Sequence, residues 1–150
     1  MTMSLEPGIV DANVLAYAAN ADDPHHAISR TLIAAARDPL TKLYVTSQVL
    51  CECYSIITNP RRVAVPSSSA EALGIISALL ALPGIHVLPT PARAVRGWME
   101  LLQRHPVTGA DVFDLQLIAT MKANNVQRIY TFNAADFEKF PELTVVVPRE

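Results

Sequence analysis

The sequence predicts an α/β sandwich built on a mostly parallel sheet, and three observations indicate it. Short apolar runs typical of buried strands recur along the chain, at residues 9–11, 43–46, 85–88, 128–132 and 143–147. Stretches with helical character lie between these runs, which is the alternation expected of parallel strands with helical crossovers. No internal repeat or long linker divides the chain, and 51% of its residues are hydrophobic, which is enough for a substantial core. We therefore expect a single domain over residues 1–150.

The helices are predicted from composition and from residues typical of helix ends. They are expected at residues 12–19, 24–37, 47–58, 69–82, 91–103, 110–124 and 133–140. Pro24 suits the first position of a helix, and Ser47 and Thr90 are expected to act as N-caps. The crossovers are expected to be right-handed. In such sheets, functional sites form outside the carboxyl ends of the strands, near the point where the strand order reverses.

Composition limits the possible functions and the compartment. The formal net charge of -2 and the pI of about 6.1 argue against a surface that coats nucleic acid broadly, although local arginine clusters remain possible. No apolar run reaches the roughly 18 residues of a membrane span, and no signal-peptide pattern opens the chain, so we expect a cytoplasmic protein. Cys51 and Cys53 would point to different sides of one helix, which predicts reduced core thiols.

Two acidic residues lie at or just beyond predicted strand ends. Asp11 ends the apolar run 8–10, where a carboxylate would project into the crevice at the sheet edge. The alternative role for Asp11 is that of a helix N-cap, for which aspartate is well suited. Asp136 follows the apolar segment 129–132. Asn133 and Asp136 have capping-box spacing, so the alternative role for Asp136 is that of a charge at the start of a helix.

Two further acids interrupt apolar helix faces. Glu52 shares a flank with Val49 and Ile56 and is predicted at the rim of a buried face, with a snorkelling surface glutamate as the alternative. Asp114 has Leu117, Ile118 and Met121 at i+3, i+4 and i+7, so it is predicted in the middle of an apolar stripe. An arginine or backbone N–H groups near the helix start could satisfy Asp114 instead of a metal.

Together the four acids predict a cation site. Carboxylates that face a core are costly unless they are paired or bound to a cation, and only Asp136 has a lysine nearby in sequence, Lys139. Carboxylate, amide and water oxygens select Mg²⁺ or Mn²⁺ rather than Zn²⁺. None of the histidines has ligand spacing, and solvent-exposed or capping roles are expected for them: His25, His26, His86 and His105.

The ordered set of these segments resembles a known family. The segments are Ile9-Val10-Asp11-Ala12-Asn13-Val14-Leu15, then Gln48-Val49-Leu50-Cys51-Glu52, then Asp114, then Thr131-Phe132-Asn133-Ala134-Ala135-Asp136-Phe137. They are similar to the PIN-domain ribonucleases and, more closely, to the VapC-type toxins of bacterial toxin–antitoxin pairs. The resemblance covers essentially the whole chain.

The resemblance implies a compact three-layer α/β/α sandwich with four to five strands, and Mg²⁺- or Mn²⁺-dependent endonucleolytic cleavage of RNA. It also implies a homodimer that a cognate antitoxin holds inactive. The apolar faces of helices 24–37 and 47–58 could bind a segment of that antitoxin. The catalytic acids would be Asp11, Glu52, Asp114 and Asp136. Many members carry an acid where this chain has Asn133, so Asp136 could bind the metal directly or through water.

Our mechanistic hypothesis places one Mg²⁺ between Asp11 and Asp114, where it would polarise a phosphate oxygen and help to generate hydroxide. Asn13, Thr131 and Asn133 would orient ligands or water around it. Crowded carboxylates should raise at least one carboxyl pKa in the metal-free protein.

An acidic pocket repels RNA, so cationic side chains must lie beside it. Arg61 and Arg62 are the first candidates for phosphate contacts, ahead of Arg93 and Arg96, with ordinary surface arginines as the alternative. A single-stranded loop whose bases can splay out is the expected target of specific cleavage.

Two other functions stay open. A metal-dependent phosphatase or receiver-like domain would need an Asp-x-Asp motif and a lysine near the phosphate, which Asp11-Ala12-Asn13 and the scarcity of lysine disfavour. A non-catalytic module that binds RNA or protein is disfavoured because clustered acids without a catalytic use only lower stability.

Overall fold

The computed structural model describes residues 5–150, so the first four residues of the predicted domain lie outside the described residues. Five short strands form one sheet, and every pairing in it is parallel. They are β1 (Gly8–Val10), β2 (Leu43–Thr46), β3 (Ile85–Leu88), β4 (Arg128–Tyr130) and β5 (Thr144–Val146). Their order across the sheet is β3-β2-β1-β4-β5. The predicted parallel α/β sheet is confirmed.

Among residues 5–150, six α-helices cover the sheet. They are α1 (Ala12–Ala19), α2 (His26–Ala34), α3 (Ser47–Ile57), α4 (Ser69–Leu80), α5 (Ala94–Arg104) and α6 (Val112–Ala123). Helix α1 contacts α2 and α3, and α3 contacts α4, whereas α5 packs extensively on α6. With right-handed crossovers, this grouping places α1–α4 on one face of the sheet and α5 and α6 on the other. The result is a three-layer α/β/α sandwich.

The core lies on both faces of the central strands. Ile9, Val10 and Ile129 have no exposed surface, and neither do Leu43 and Val45. Strand β1 is the centre of the sheet, with β2 on one side and β4 on the other. The strand order reverses between β1 and β4, which opens the crevice that parallel α/β sheets use for binding. Asp11 and Thr131 directly follow these two strands.

Several predicted helix starts differ from the structure. Helix α3 is capped by Thr46, whose Oγ1 accepts the Val49 N–H at 3.2 Å, so Ser47 is the first helical residue and not the cap. Helix α5 begins at Ala94, and Thr90 does not cap it. Residues 91–95 instead form tight turns, in which the N–H of Ala94 bonds to the carbonyl of Pro91. Helix α2 begins at His26, after a turn that contains Pro24.

The last predicted helix is absent from the described chain. Residues 133–140 contain only a 3₁₀ turn, Ala134–Asp136, and the Asn133 side chain makes no capping hydrogen bond. Phe137 and Phe140 are both almost fully buried. Two aromatic anchors three residues apart suit turns with i to i-3 bonds, and Pro141 prevents a helix from continuing.

The thiols and imidazoles also differ partly from expectation. Both cysteines are free as predicted, but only Cys53 is buried and Cys51 is exposed. His25 is exposed as expected and lies at the N-cap position of α2 without a side-chain capping bond, and its ring stacks on Phe132 with ring centroids 4.2 Å apart. The His105 ring meets Phe140 edge-on at the end of α5. No helix among residues 5–150 combines the length and apolarity needed to cross a membrane.

Candidate metal-binding active site

The Asp11 side chain is held on both of its oxygens at the end of β1. Its Oδ1 accepts the N–H of Ala12 at 2.7 Å, which caps α1. Its Oδ2 accepts the Thr131 hydroxyl at 2.8 Å and Asn13 Nδ2 at 3.2 Å. The side chain is therefore both the predicted strand-end carboxylate and the predicted helix cap, with only 8% of its surface exposed.

Asn13 and Thr131 join the two central strands around this carboxylate. Asn13 Nδ2 also donates to Thr131 Oγ1 at 3.2 Å, and Asn13 Oδ1 accepts the backbone N–H of Phe132, also at 3.2 Å. The backbone N–H of Asn133 donates to Thr131 Oγ1 at 3.0 Å. Asn13 and Thr131 thus orient Asp11, whereas Asn133 supports it through its main chain and leaves its own side chain exposed.

Glu52 is half-buried on α3, at the rim of the buried face as predicted. Gln48, one turn earlier, donates from Nε2 to Glu52 Oε1 at 2.8 Å and to the carbonyl of Phe113 at 2.8 Å. This contact holds α3 against the start of α6, which carries Asp114. Sequence analysis missed Gln48 as a site residue, although its i, i+4 spacing to Glu52 could have indicated it.

Asp114 lies in the first turn of α6 and is half-buried. The three residues predicted to share its stripe, Leu117, Ile118 and Met121, are buried. The pKa of Asp114 is raised to about 7, chiefly by burial and then by the charges of Asp136, Asp11, Glu52 and Asp111, in that order of size. All the acids that sequence analysis grouped therefore act on one carboxyl group.

The pKa values of Asp11 and Glu52 are also raised. Burial raises the pKa of Asp11, with a contribution from Asp136, against the lowering effect of the hydrogen bonds from Thr131, Ala12 and Asn13. Burial also raises the pKa of Glu52, Gln48 lowers it, and the charge of Asp11 raises it. The expectation of at least one raised carboxyl pKa is met at three positions.

Within residues 5–150 no lysine or arginine neutralises this cluster. The two ion pairs in the described chain join Lys122 to Glu142 and Arg128 to Glu6, and neither involves the four acids. Lys139, the lysine closest to Asp136 in sequence, has its Nζ 5.6 Å from the centre of the Phe140 ring. Asp11 is buried, Glu52 and Asp114 are half-buried and Asp136 is exposed. A divalent cation would stabilise such a concentration of uncompensated carboxylates.

The residues present fit Mg²⁺ or Mn²⁺ better than Zn²⁺. In the described part of the chain, no three His, Cys, Asp or Glu side chains are placed so that they alone could hold a metal ion. Mg²⁺ usually retains several waters and uses one or two carboxylates together with substrate phosphate, so it does not require such a cage. Asp11 and Asp114 are the pair that suits this mode, with Glu52 and Asp136 close enough to affect the pKa of Asp114.

The predicted phosphate contacts lie outside this cluster. Arg61 and Arg62 are exposed in the turn that follows α3, and their backbone N–H groups bond to Asn59. Five residues of α3 beyond Glu52 separate them from it, which is about 8 Å along the helix axis. Arg93 donates to the carbonyl of Ala123 at the end of α6.

Comparisons with known proteins agree with this architecture. The chain matches the PIN domain family over residues 8–143. It is 32% identical over 136 residues to the ribonuclease VapC43 of Mycobacterium tuberculosis H37Rv, a match that covers 89% of this chain and 90% of that protein. It is 38% identical over 85 residues to the ribonuclease VapC31 of the same strain, covering 55% of this chain and 56% of that protein.

Solved structures share the fold at low sequence identity. The Mycobacterium tuberculosis toxin VapC20, described as cleaving the sarcin–ricin loop, superposes with a TM-score of 0.69 at 21% identity, covering 93% of this chain and 98% of that one. A chain of the Rickettsia felis VapBC2 complex, bound to a promoter DNA fragment, gives a TM-score of 0.65 at 17% identity, with coverage of 94% and 98%. The protein belongs to the PIN-domain family and, within it, to the VapC type.

Proposed function

We propose that the protein is a metal-dependent endoribonuclease that acts as the toxin of a toxin–antitoxin pair. The observation that carries the proposal is the convergence of Asp11, Glu52, Asp114 and Asp136 at the carboxyl edge of the sheet without a neutralising cation among residues 5–150. Relatives named as ribonucleases support the reaction class, and structures of toxin–antitoxin complexes support the biological role.

Asp11 and Asp114 are the residues that would hold Mg²⁺ or Mn²⁺. When bound, the ion would supply a polarised phosphate oxygen and an activated water for hydrolysis of the phosphodiester. Thr131 and Asn13 each donate a hydrogen bond to Asp11 Oδ2, and a third bond joins them to each other, which would hold the carboxylate in place before substrate arrives. Gln48 does the same for Glu52.

Glu52 and Asp136 are suited to position water and to accept a proton at the edge of the site. Both lie close enough to Asp114 to raise its pKa. Burial raises the pKa of Glu52, so its carboxylate accepts a proton more readily near neutral pH, which is the property required of a general base. Arg61 and Arg62 would contact phosphates of the RNA outside the acidic cluster.

The activity is tested by incubating the purified protein with structured RNA in Mg²⁺, Mn²⁺ or EDTA. We expect fragments with either ion and none in EDTA, and a loss of at least 100-fold in Asp114→Asn, because the carboxylate charge that would bind the ion is gone. Glu100→Gln is the matched control, since Glu100 is an exposed acid on α5 outside the cluster. RNA that is bound but left intact would instead indicate a non-catalytic module.

The proposed antitoxin partner has a candidate docking surface on the helical layer α1–α4. A groove of about 570 Å³ has an apolar lining from α1, α2 and α4, including Leu15, Ile33 and Leu79, and Arg30 and Arg37 contribute to it. The predicted contribution of helix 47–58 is limited to Cys53. Co-purification with the product of a short reading frame just upstream tests the toxin role, and its absence would leave the nuclease proposal standing alone.

A homodimer is proposed from the resemblance. Helix α5 exposes Val95 and Met99, each with about half of its surface in solvent at 50% and 51%. Such apolar exposure one turn apart is compatible with a second copy of the chain. Analytical sedimentation would compare the mass of Met99→Lys with that of the unaltered protein. A dimer mass for the unaltered protein and a monomer mass for the variant would support this face as the dimer interface, and equal masses would exclude it.

A further inference from the structure

We infer that Tyr17, His25 and Phe132 form an aromatic platform on which one unpaired RNA base stacks next to the acidic cluster. The inference rests on the proposed nuclease function and adds a substrate contact to it. The three rings contact one another: His25 stacks on Phe132 at 4.2 Å with an interplanar angle of 23°, and Tyr17 lies 5.3 Å from His25 and 5.4 Å from Phe132.

The platform is joined directly to the residues that orient Asp11. Phe132 donates its backbone N–H to Asn13 Oδ1, and Asn13 Nδ2 donates to Asp11 Oδ2, both at 3.2 Å. Tyr17 lies four residues after Asn13 on α1 and therefore on the same face, about 6 Å along the axis. One nucleotide of an extended strand could bridge the candidate cleavage site and the rings.

The outer ring of the platform is available to a ligand. His25 is exposed, whereas Tyr17 and Phe132 are half-buried beneath it. His26 Nδ1 contacts the carbonyl of Tyr17 at 2.9 Å, which holds the segment that carries His25 against α1. The backbone N–H of His25 donates to Asp23 Oδ1 at 2.8 Å. A ring held in this way can offer a flat face at a small entropic cost.

The local charge favours a base over a phosphate. Asp23 accepts the backbone N–H of His25, and Asp22 precedes it in the α1–α2 connection. Carboxylates repel the RNA backbone. Aromatic faces accept any base by stacking, and single-stranded RNA is commonly recognised in this way. The platform therefore suits an unpaired base, while phosphates would contact Arg61 and Arg62 elsewhere.

The first test measures stacking without cleavage. A short single-stranded oligoribonucleotide carrying the fluorescent base 2-aminopurine is titrated with protein in EDTA, because stacking on an aromatic ring quenches this base. We expect quenching by the unaltered protein and by His25→Phe, which retains a ring, and its loss in His25→Ala. His86→Ala is the matched control, since His86 is an exposed histidine on edge strand β3.

The second test uses cleavage kinetics in Mg²⁺. We expect His25→Ala to raise KM about tenfold and to leave kcat within about twofold, as removal of one stacking contact would do. For the unaltered protein, an abasic site at the stacked nucleotide should raise KM by the same factor as His25→Ala does. For His25→Ala, the abasic site should cause no further rise in KM. Restoration of KM in His25→Phe would separate stacking from hydrogen bonding or protonation of the imidazole.

The outcomes distinguish this inference from the proposed function. Quenching and KM values that are the same in His25→Ala and in the unaltered protein would overturn the platform while leaving the nuclease in place. Quenching that depends on residue 25, without any cleavage in Mg²⁺ or Mn²⁺, would support the platform and overturn hydrolysis. Absence of quenching by the unaltered protein would overturn the platform.

Discussion

At the scale of single residues, the central fact is that Asp114 is a carboxylic acid with a pKa of about 7 in a protein where no cation approaches it among residues 5–150. Burial is the largest cause, and four neighbouring acids add to it. Because of this raised pKa, Asp114 keeps its proton more readily in the metal-free protein, and it must release that proton to bind a cation. Metal binding should therefore depend on pH, with affinity increasing from pH 6 to pH 8.

The raised pKa also makes the stability of the metal-free fold depend on pH. A carboxyl group whose pKa is higher in the folded state than in the unfolded state contributes stability at low pH, and the contribution is lost as pH rises from about 4 to about 7. In EDTA at pH 8 we expect Asp114→Asn to have a Tm about 2–4 °C above that of the unaltered protein, allowing for its half-exposed site. Thermal unfolding in EDTA checks this.

The Tm difference between Asp114→Asn and the unaltered protein should depend on pH, and a control variant should show no such difference. At pH 5 the difference between Asp114→Asn and the unaltered protein should shrink, because the aspartate is then protonated. Asp22→Asn replaces an exposed acid in the α1–α2 connection and should leave the Tm unchanged at both pH values. A Tm for Asp114→Asn below that of the unaltered protein at pH 8 would contradict the proposed electrostatic crowding.

At the scale of elements, Gln48 links α3 to α6 through the carbonyl of Phe113 and also donates to Glu52 within α3. Its hydrogen bond lowers the pKa of Glu52, so Gln48→Ala should raise that pKa further. If ionised Glu52 is required, the acid limb of the pH–rate profile should move to higher pH in Gln48→Ala. Activity at pH 6 should fall about tenfold, with a smaller loss at pH 8.

The shape of the profile distinguishes this role from a structural one. A uniform loss of activity at every pH would mean that Gln48 only packs the two helices together. Gln116→Ala is a suitable control, because Gln116 is a half-buried glutamine on α6 without a side-chain bond to the cluster among residues 5–150.

Helix α4 begins with a complete capping box, which predicts a stability effect without a catalytic one. Ser68 Oγ accepts the N–H of Glu71 at 3.1 Å, and the Glu71 carboxylate accepts the N–H of Ser68 at 3.0 Å. Ser68→Ala should lower the free energy of unfolding by about 1 kcal/mol. Chemical denaturation checks this, with Ser77→Ala on the exposed surface of the same helix as the control.

Sequence patterns predicted these elements well where a local signal exists. Helical periodicity placed Asp114 within a buried stripe and Glu52 at a rim, and both positions are confirmed. Capping was less predictable, because Thr46 and Ser47 are both good N-caps and only the backbone geometry decides between them. The strand order and the contact between His25 and Phe132 join residues distant in sequence, for which a single sequence carries no signal.

At the scale of the whole molecule, a net charge of -2 means that RNA is not attracted by the overall field of the protein. Attraction must come from local cations, and Arg61 and Arg62 are exposed beyond the end of α3. If both contact phosphates of single-stranded RNA, the double variant Arg61→Ala/Arg62→Ala should reduce the salt dependence of log K by about 1.4. Titrations at several salt concentrations measure that slope.

The same double variant should weaken binding similarly for RNAs of different sequence, since phosphate contacts carry no base information. Arg104→Ala removes an exposed arginine from the end of α5 and serves as the control. A slope that is unchanged by the double variant would place the phosphate contacts elsewhere on the surface.

The double hydrogen bonding of the Asp11 carboxylate has a consequence for how such a protein can lose its toxicity. Its Oδ1 caps α1, and its Oδ2 accepts the Thr131 hydroxyl at the end of β4. In the proposed nuclease, a substitution at this position would therefore weaken the fold as well as the chemistry. In the proposed nuclease, Asp114→Asn would abolish the chemistry while stabilising the metal-free fold. Harmless copies that persist in the cell and still occupy the inhibitor, and so act as decoys, would arise through position 114 far more readily than through position 11.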